Sequence, residues 1–191
     1  MKQLRIYMTI IALVSLFGCQ TAQVKQSSNS LPVPPSGFSW VTSAIGIGSF
    51  LKPDGWYVSE ETKGDTKALF ISRENINSNS RFEVGLSVNQ INNWSAKQSI
   101  KPSQYAKSYA TKIAKTGEVI KQTVVKGNFP DMNLVRIKGN NNGVSTIVHH
   151  IAIGMDDTDK VYLLSFEAPE SQWEQMMEKG GPMLNFFILG D

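Results

Sequence analysis

The sequence predicts an α+β domain in which helices flank an antiparallel sheet. Three observations carry that expectation. Phe82, Val84, Leu86 and Val88 alternate with Glu83, Gly85, Ser87 and Asn89, the period of a half-buried strand. Two segments instead repeat their apolar residues at helical spacing and carry start and stop residues. Between the apolar runs lie short clusters of Gly, Asn and Asp, which suit the tight turns that join antiparallel neighbours.

Trp56-Tyr57-Val58 and Ala68-Leu69-Phe70-Ile71-Ser72 read as a hairpin around Lys63-Gly64-Asp65. The first helix is expected from about Ser103 to Thr116. Ser103 follows Pro102 as an N-cap, Gly117 is a stop, and Tyr105, Ala106, Tyr109, Ala110, Ile113 and Ala114 form one stripe. Val119 to Val125 and Asn133 to Lys138 form a second strand pair across Gly127, Asn128 and Pro130. Asn140 to Gly143 reads as a turn tolerant of positive φ. Val144 to Ile153 is apolar on both faces, which marks a central strand, and Asp156 to Asp159 turns it into Val161 to Phe166. A second helix begins near Pro169-Glu170, passes Trp173, Met176 and Met177, and should stop at Gly180-Gly181. Pro182 then opens a further helical turn or two through Met183, Leu184, Phe186, Phe187 and Ile188.

The first 37 residues read differently. Lys2 and Arg5 precede an apolar run, Ile6 to Phe17, interrupted only by Thr9 and Ser15 and closed by Leu16-Phe17-Gly18-Cys19. That order is a secretory leader. The run is about a dozen residues, short of the roughly 20 a bilayer span requires. Small residues for the ordinary peptidase are missing, whereas Leu16-x-Gly18-Cys19 looks like a bacterial lipobox. The expectation is a signal peptide over 1–18 and a lipidated Cys19, with residues 19–37 a tether. Gln20, Gln23, Gln26, Ser27, Ser28, Asn29 and Ser30 bury nothing, and Leu31 to Pro35 stiffens toward polyproline II. Residues 38–191 form a single domain. The protein is expected in a bacterial envelope, lipid-anchored and facing the periplasm. Gln20 rather than Asp after Cys19 favours the outer over the inner membrane, by resemblance to the sorting rule of enteric bacteria.

The chain has 19 Lys+Arg and 16 Asp+Glu. Lys2 and Arg5 leave with the leader, so 17 basic residues face 16 acidic ones, a net of +1. A near-neutral protein of this kind is not expected to bind nucleic acid, nor to carry a polybasic patch for anionic lipid. Cys19 is the one cysteine, so no disulfide is expected.

Candidate chemistry is sparse. His149 and His150 are the two histidines, and adjacent strand residues point to opposite faces, so they do not share one metal. Asp156, Asp157 and Asp159 have a calcium-like look but lack the Gly and Glu of an EF-hand loop. Ile45-Gly46-Ile47-Gly48-Ser49 lacks the third glycine of a phosphate loop. Gly143-Val144-Ser145-Thr146-Ile147 lacks the second glycine of a nucleophile elbow, and no hydroxyl has an identifiable base. No catalytic residue, metal site or cofactor is assigned. Trp94, in the polar stretch Gln90 to Ser95, is read in two ways: exposed, as a partner contact, or folded back over a sheet end.

Two motifs point to a family. Phe50-Leu51-Lys52-Pro53-Asp54-Gly55-Trp56 matches the opening of PsbP-like domains. Leu164-Ser165-Phe166-Glu167-Ala168-Pro169 leads into a closing helix with Trp173, and Met183-Leu184-Asn185-Phe186-Phe187 ends the chain. Over roughly residues 45–188 the layout resembles the PsbP-like superfamily, and it is similar to the DcrB-like bacterial lipoproteins. The resemblance implies an α/β/α sandwich around a central antiparallel sheet and an accessory or binding role rather than a reaction. The expected function is therefore a non-enzymatic envelope lipoprotein whose domain binds another envelope protein or assembly. A small-ligand or metal carrier is the alternative.

Overall fold

The computed structural model describes residues 31–76, 81–127 and 130–190. The leader, Cys19 and the tether up to Ser30 lie outside the described residues, as does Asn128 of the expected 127–130 turn. The strands are β1 (Phe38–Thr42), β2 (Gly48–Pro53), β3 (Tyr57–Lys63), β4 (Thr66–Ser72), β5 (Gly85–Ile91), β6 (Glu118–Val125), β7 (Met132–Asn141), β8 (Val144–Met155), β9 (Lys160–Pro169) and β10 (Phe187–Leu189). The helices are α1 (Pro102–Ile113) and α2 (Trp173–Asn185). Seven strands form one antiparallel sheet in the order β3-β4-β5-β9-β8-β7-β6, and β1-β2-β10 form a second.

The hairpins follow their turn residues. Lys63 pairs with Thr66 across Gly64, whose φ is +59°. Asn141 pairs with Val144 across Asn142 and Gly143, both at positive φ, the backbone a two-residue hairpin turn demands. Val84, Leu86 and Val88 point inward as their alternation requires, but β5 begins at Gly85 and Phe82 stands outside it. Phe82 lies over Gly85 instead: a Cβ there would come 2.8 Å from its ring.

The main core lies on one face of the large sheet. Leu69, Ile71, Leu86, Val88, Ile151, Tyr162, Leu164 and Phe166 meet Trp173 and Met183 of α2 and Phe50 of β2. The layer over this face is therefore shared by α2 and the small sheet, not by helix alone. On the other face α1 packs Ala110 against Val135 and Ile137. Among the described residues the buried apolar side chains run from Ile47 to Leu184.

The chain's end departs from expectation. Gly180-Gly181 does not stop α2, which continues past Pro182 to Asn185, and Phe187 to Leu189 is a strand paired with Gly48 to Phe50. A Cβ at Gly180 would fall 2.5 Å from the Phe166 ring. That glycine serves close approach of α2 to the sheet rather than helix termination. At α1, Lys101 rather than Ser103 is the N-cap, and Pro102 occupies the first turn. The Ser103 N–H and hydroxyl are taken by Asp156, at 2.9 and 2.8 Å.

Candidate functional site

The two histidines take separate places. His149 is buried, and its Nδ1 accepts a hydrogen bond from Arg136 Nε at 3.3 Å. The Arg136 guanidinium in turn lies 5.0 Å from the Trp173 ring centre. Burial, then the Arg136 charge, holds the imidazole down at about 4. His150, on the opposite face, sits beneath α1. Its Nδ1 lies 2.7 Å from Ser165 Oγ and 3.4 Å from the Tyr109 hydroxyl. Burial lowers His150 to about 4 and pushes the Tyr109 hydroxyl up. Glu167, two residues along β9, is also raised by burial.

The Ser165–His150 pair is a hydroxyl beside a base that sequence spacing did not reveal. Its setting is structural. Ser165 lies mid-ladder, paired with Ser87 on one side and His150 on the other. A central strand commits its backbone N–H groups to its neighbours, so those beside Ser165 are not free to hold an oxyanion.

The other sequence candidates are absorbed by the fold. Asp156 holds Ser103, and both Asp159 carboxylate oxygens bond Ser95, through its N–H at 2.9 and 3.1 Å and its hydroxyl at 2.8 Å. Gly46 and Gly48 have positive φ, and a Cβ on Gly48 would meet the Ile188 carbonyl at 2.1 Å. That loop is shaped by β10. Among the described residues no group of three His, Cys, Asp or Glu could hold a metal ion.

Trp94 is folded back, which corrects the reading of it as an exposed partner contact. It is 5% exposed, its Nε1 donates to the Ile100 carbonyl at 2.8 Å, and its ring lies 4.2 Å from that of Tyr105. A polar stretch surrounds it in sequence, yet α1 returns over it. It therefore cannot offer its face to a partner.

What the structure exposes is the other edge of the large sheet. β6 is an eight-residue strand with seven exposed positions. Val119, Ile120, Val124 and Val125 are each 43–46% exposed. Residues 97–127 hold seven lysines and one acid, Glu118. Lys97 pairs with Asp65 at 3.1 Å. The other six, Lys101, Lys107, Lys112, Lys115, Lys121 and Lys126, are exposed and join none of the ion pairs among the described residues. Overall near-neutrality hides this local excess of lysines along the chain. A count by segment would have found it.

This arrangement of strands and helices is the PsbP-like fold. Similar solved structures include cyanobacterial PsbP (CyanoP) from Synechocystis sp. PCC 6803, 11% identical, with 85% of this chain and 98% of that chain covered and a TM-score of 0.51. The Ran-binding protein Mog1p of Saccharomyces cerevisiae is 12% identical, with 81% and 96% covered and a TM-score of 0.50. At such identities the likeness establishes the fold alone. No family model matches the chain, and a search of curated proteins finds no match.

Proposed function

We propose that this chain is a lipid-anchored bacterial envelope protein without a catalytic role, whose PsbP-like domain binds another envelope protein or assembly. Cys19, lipidated after removal of residues 1–18, is the anchor, and residues 20–37 are the tether. Two-dimensional confinement raises the effective concentration of a partner, so a modest interface suffices.

The observation that carries the binding role is β6. An edge strand offers unpaired main-chain groups to an incoming strand, and proteins that avoid such pairing cover the edge or break it. Here the regular half, Lys121 to Val125, is exposed, and its outer flank has no strand beside it among the described residues. Mog1p, named for binding Ran, supports the reading that this fold serves protein recognition.

Cross-linking in intact cells, followed by capture of the protein, tests the proposal. An envelope partner should be recovered with the native chain and lost with Val124→Glu. Recovery undiminished by that change would refute the β6 assignment. Cys19→Ser should abolish incorporation of labelled palmitate and release the protein from membranes.

A ligand carrier is the second reading. An open cavity of about 490 Å³ lined by Phe70, Phe82, Ser59 and Glu167 favours it. A flat thermal response to a metal and metabolite panel would remove it.

A further inference from the structure

Two features restrict what β6 can pair with. The first is a β-bulge between Val119 and Lys121, which leaves the ladder with β7 regular only from Lys121 to Val125. Bulges disrupt pairing, so an added strand has those five residues to meet. The second feature is charge. Lys121 opens the regular half and is its one charged residue.

The register sets Lys121 in a basic row. It stands directly opposite Arg136 of β7, and Arg136 stands opposite His149 of β8. Opposed strand residues share a face with Cβ atoms about 5 Å apart, and like charges so placed repel. His149 feels both: burial lowers it most, then the Arg136 charge, with Lys121 a smaller cause. Arg136 is held in place, since its Nε bonds His149 and its guanidinium lies over the Trp173 ring. Neither Lys121 nor Arg136 joins an ion pair among the described residues. The acids of this face lie further along. Glu170 pairs with Lys138 at 2.7 Å, and Glu118 stands opposite Lys138 on the far side of the bulge. Lys121, Arg136 and Lys138 thus face Glu118 and Glu170, three positive charges against two. The excess falls where the regular half begins.

A lysine on an edge strand ordinarily discourages pairing. Beside a second, fixed cation it becomes a selector, because it disfavours a basic neighbour and favours an acidic one. From this register we infer that β6 accepts, as its added strand, an acidic extended segment of the partner. An Asp or Glu of that segment stands opposite Lys121, and apolar side chains stand opposite Val124 and Val125. The inference rests on the reading of β6 as the binding edge and names what that edge selects. A second copy of β6 is a poor occupant, because Lys121 to Val125 contains no acid to offer.

Fluorescence anisotropy with the full chain and two labelled peptides tests this selectivity. The peptide Glu-Thr-Thr-Val-Val-Thr-Thr-Glu sets an acid opposite Lys121 and its valines opposite Val124 and Val125 in either strand direction. Its counterpart carries Lys at both ends. The acidic peptide should bind on the order of tenfold tighter, with a margin that shrinks as salt rises. Lys121→Glu should remove or reverse the preference without lowering the melting temperature, since it relieves the repulsion with Arg136. Equal binding of the two peptides, binding of neither, or a preference that survives Lys121→Glu overturns the inference. So does a dimer in sedimentation that Val124→Glu dissolves, because the edge then belongs to a second copy. Capture in intact cells separates this inference from the reading beneath it. A partner lost with Val124→Glu but retained with Lys121→Glu keeps β6 as the binding edge and overturns its acidic selectivity. The expected peptide preference with no partner captured upholds the selectivity and counts against the envelope-partner reading.

Discussion

The seven-stranded sheet has two edges, and they are treated differently. β3, at one end, reads Tyr57-Val58-Ser59-Glu60-Glu61-Thr62-Lys63, with three charged residues among its seven. The loop before β2 crosses to it, with the Ala44 N–H donating to Glu60 Oε2 at 3.2 Å. Charge and a covering loop are common ways to keep an edge from pairing. β6, at the other end, shows four β-branched apolar residues to solvent and is guarded only by its bulge and lysines. An edge that serves stability alone can be closed. One left open at a cost in exposed apolar area is where recognition should be sought.

That contrast separates residues that hold the fold from residues that are free to bind. The largest effect is expected where α1 meets the sheet. A Cβ on Gly154 would lie 2.1 Å from the Pro102 carbonyl carbon, a backbone atom that cannot step aside. Gly154→Val should therefore displace α1 and cost more than about 3 kcal/mol, readable by urea unfolding. If this variant unfolds normally, the α1 face is less tightly built than its geometry indicates.

Next comes Trp94. Trp94→Ala removes a buried ring and its hydrogen bond to Ile100, and should cost about 3–5 kcal/mol. A loss under about 1 kcal/mol, with partner capture impaired, would restore the interface role the burial denies.

The histidines give a pH signature of intermediate size. Both are held near 4 in the folded state against an ordinary value of 6.5. The unfolded chain therefore binds more protons between those values, and stability falls as pH drops from 6.5 toward 4. The ceiling is about 3 kcal/mol for each histidine, since each tenfold change in proton affinity is worth about 1.4 kcal/mol. His149→Gln should flatten part of that slope in acid titration of the folded fraction. An unchanged slope would assign acid sensitivity elsewhere.

The smallest stability effect sharpens the contrast most. Val124→Ser and Val125→Ser should change stability by less than about 1 kcal/mol, because both residues are nearly half exposed. The same changes should weaken partner capture. A large stability loss instead would make β6 a structural strand.

Much of the fold was legible because local chemistry and global arrangement agree. Asn142-Gly143 and Gly64 favour tight turns by their backbone freedom. The apolar residues of β5 alternate because one face of that strand is buried. Expectation and structure part where a residue's reason is a distant neighbour. Gly180 reads as a stop but serves the Phe166 ring, Ser103 reads as a cap but is held by Asp156 from another turn, and Phe187 reads as helical but completes a sheet with β2. The candidate site was less legible. The lysines of residues 97–127 are visible in the sequence, but that Lys97 alone among them joins an ion pair between described residues is not.

By itself the sequence determined the class of the domain and the positions of most hairpins, and it alone carries the expectation of a leader before Cys19. Periodicity, turn chemistry and targeting all act over a few residues. The tertiary structure alone decided that Trp94 is covered, that His149 and His150 are both shielded on opposite faces, and that β6 is an open edge. Each of those depends on which segment packs beside which, and burial and free edges belong to the assembled sheet rather than to any stretch of chain.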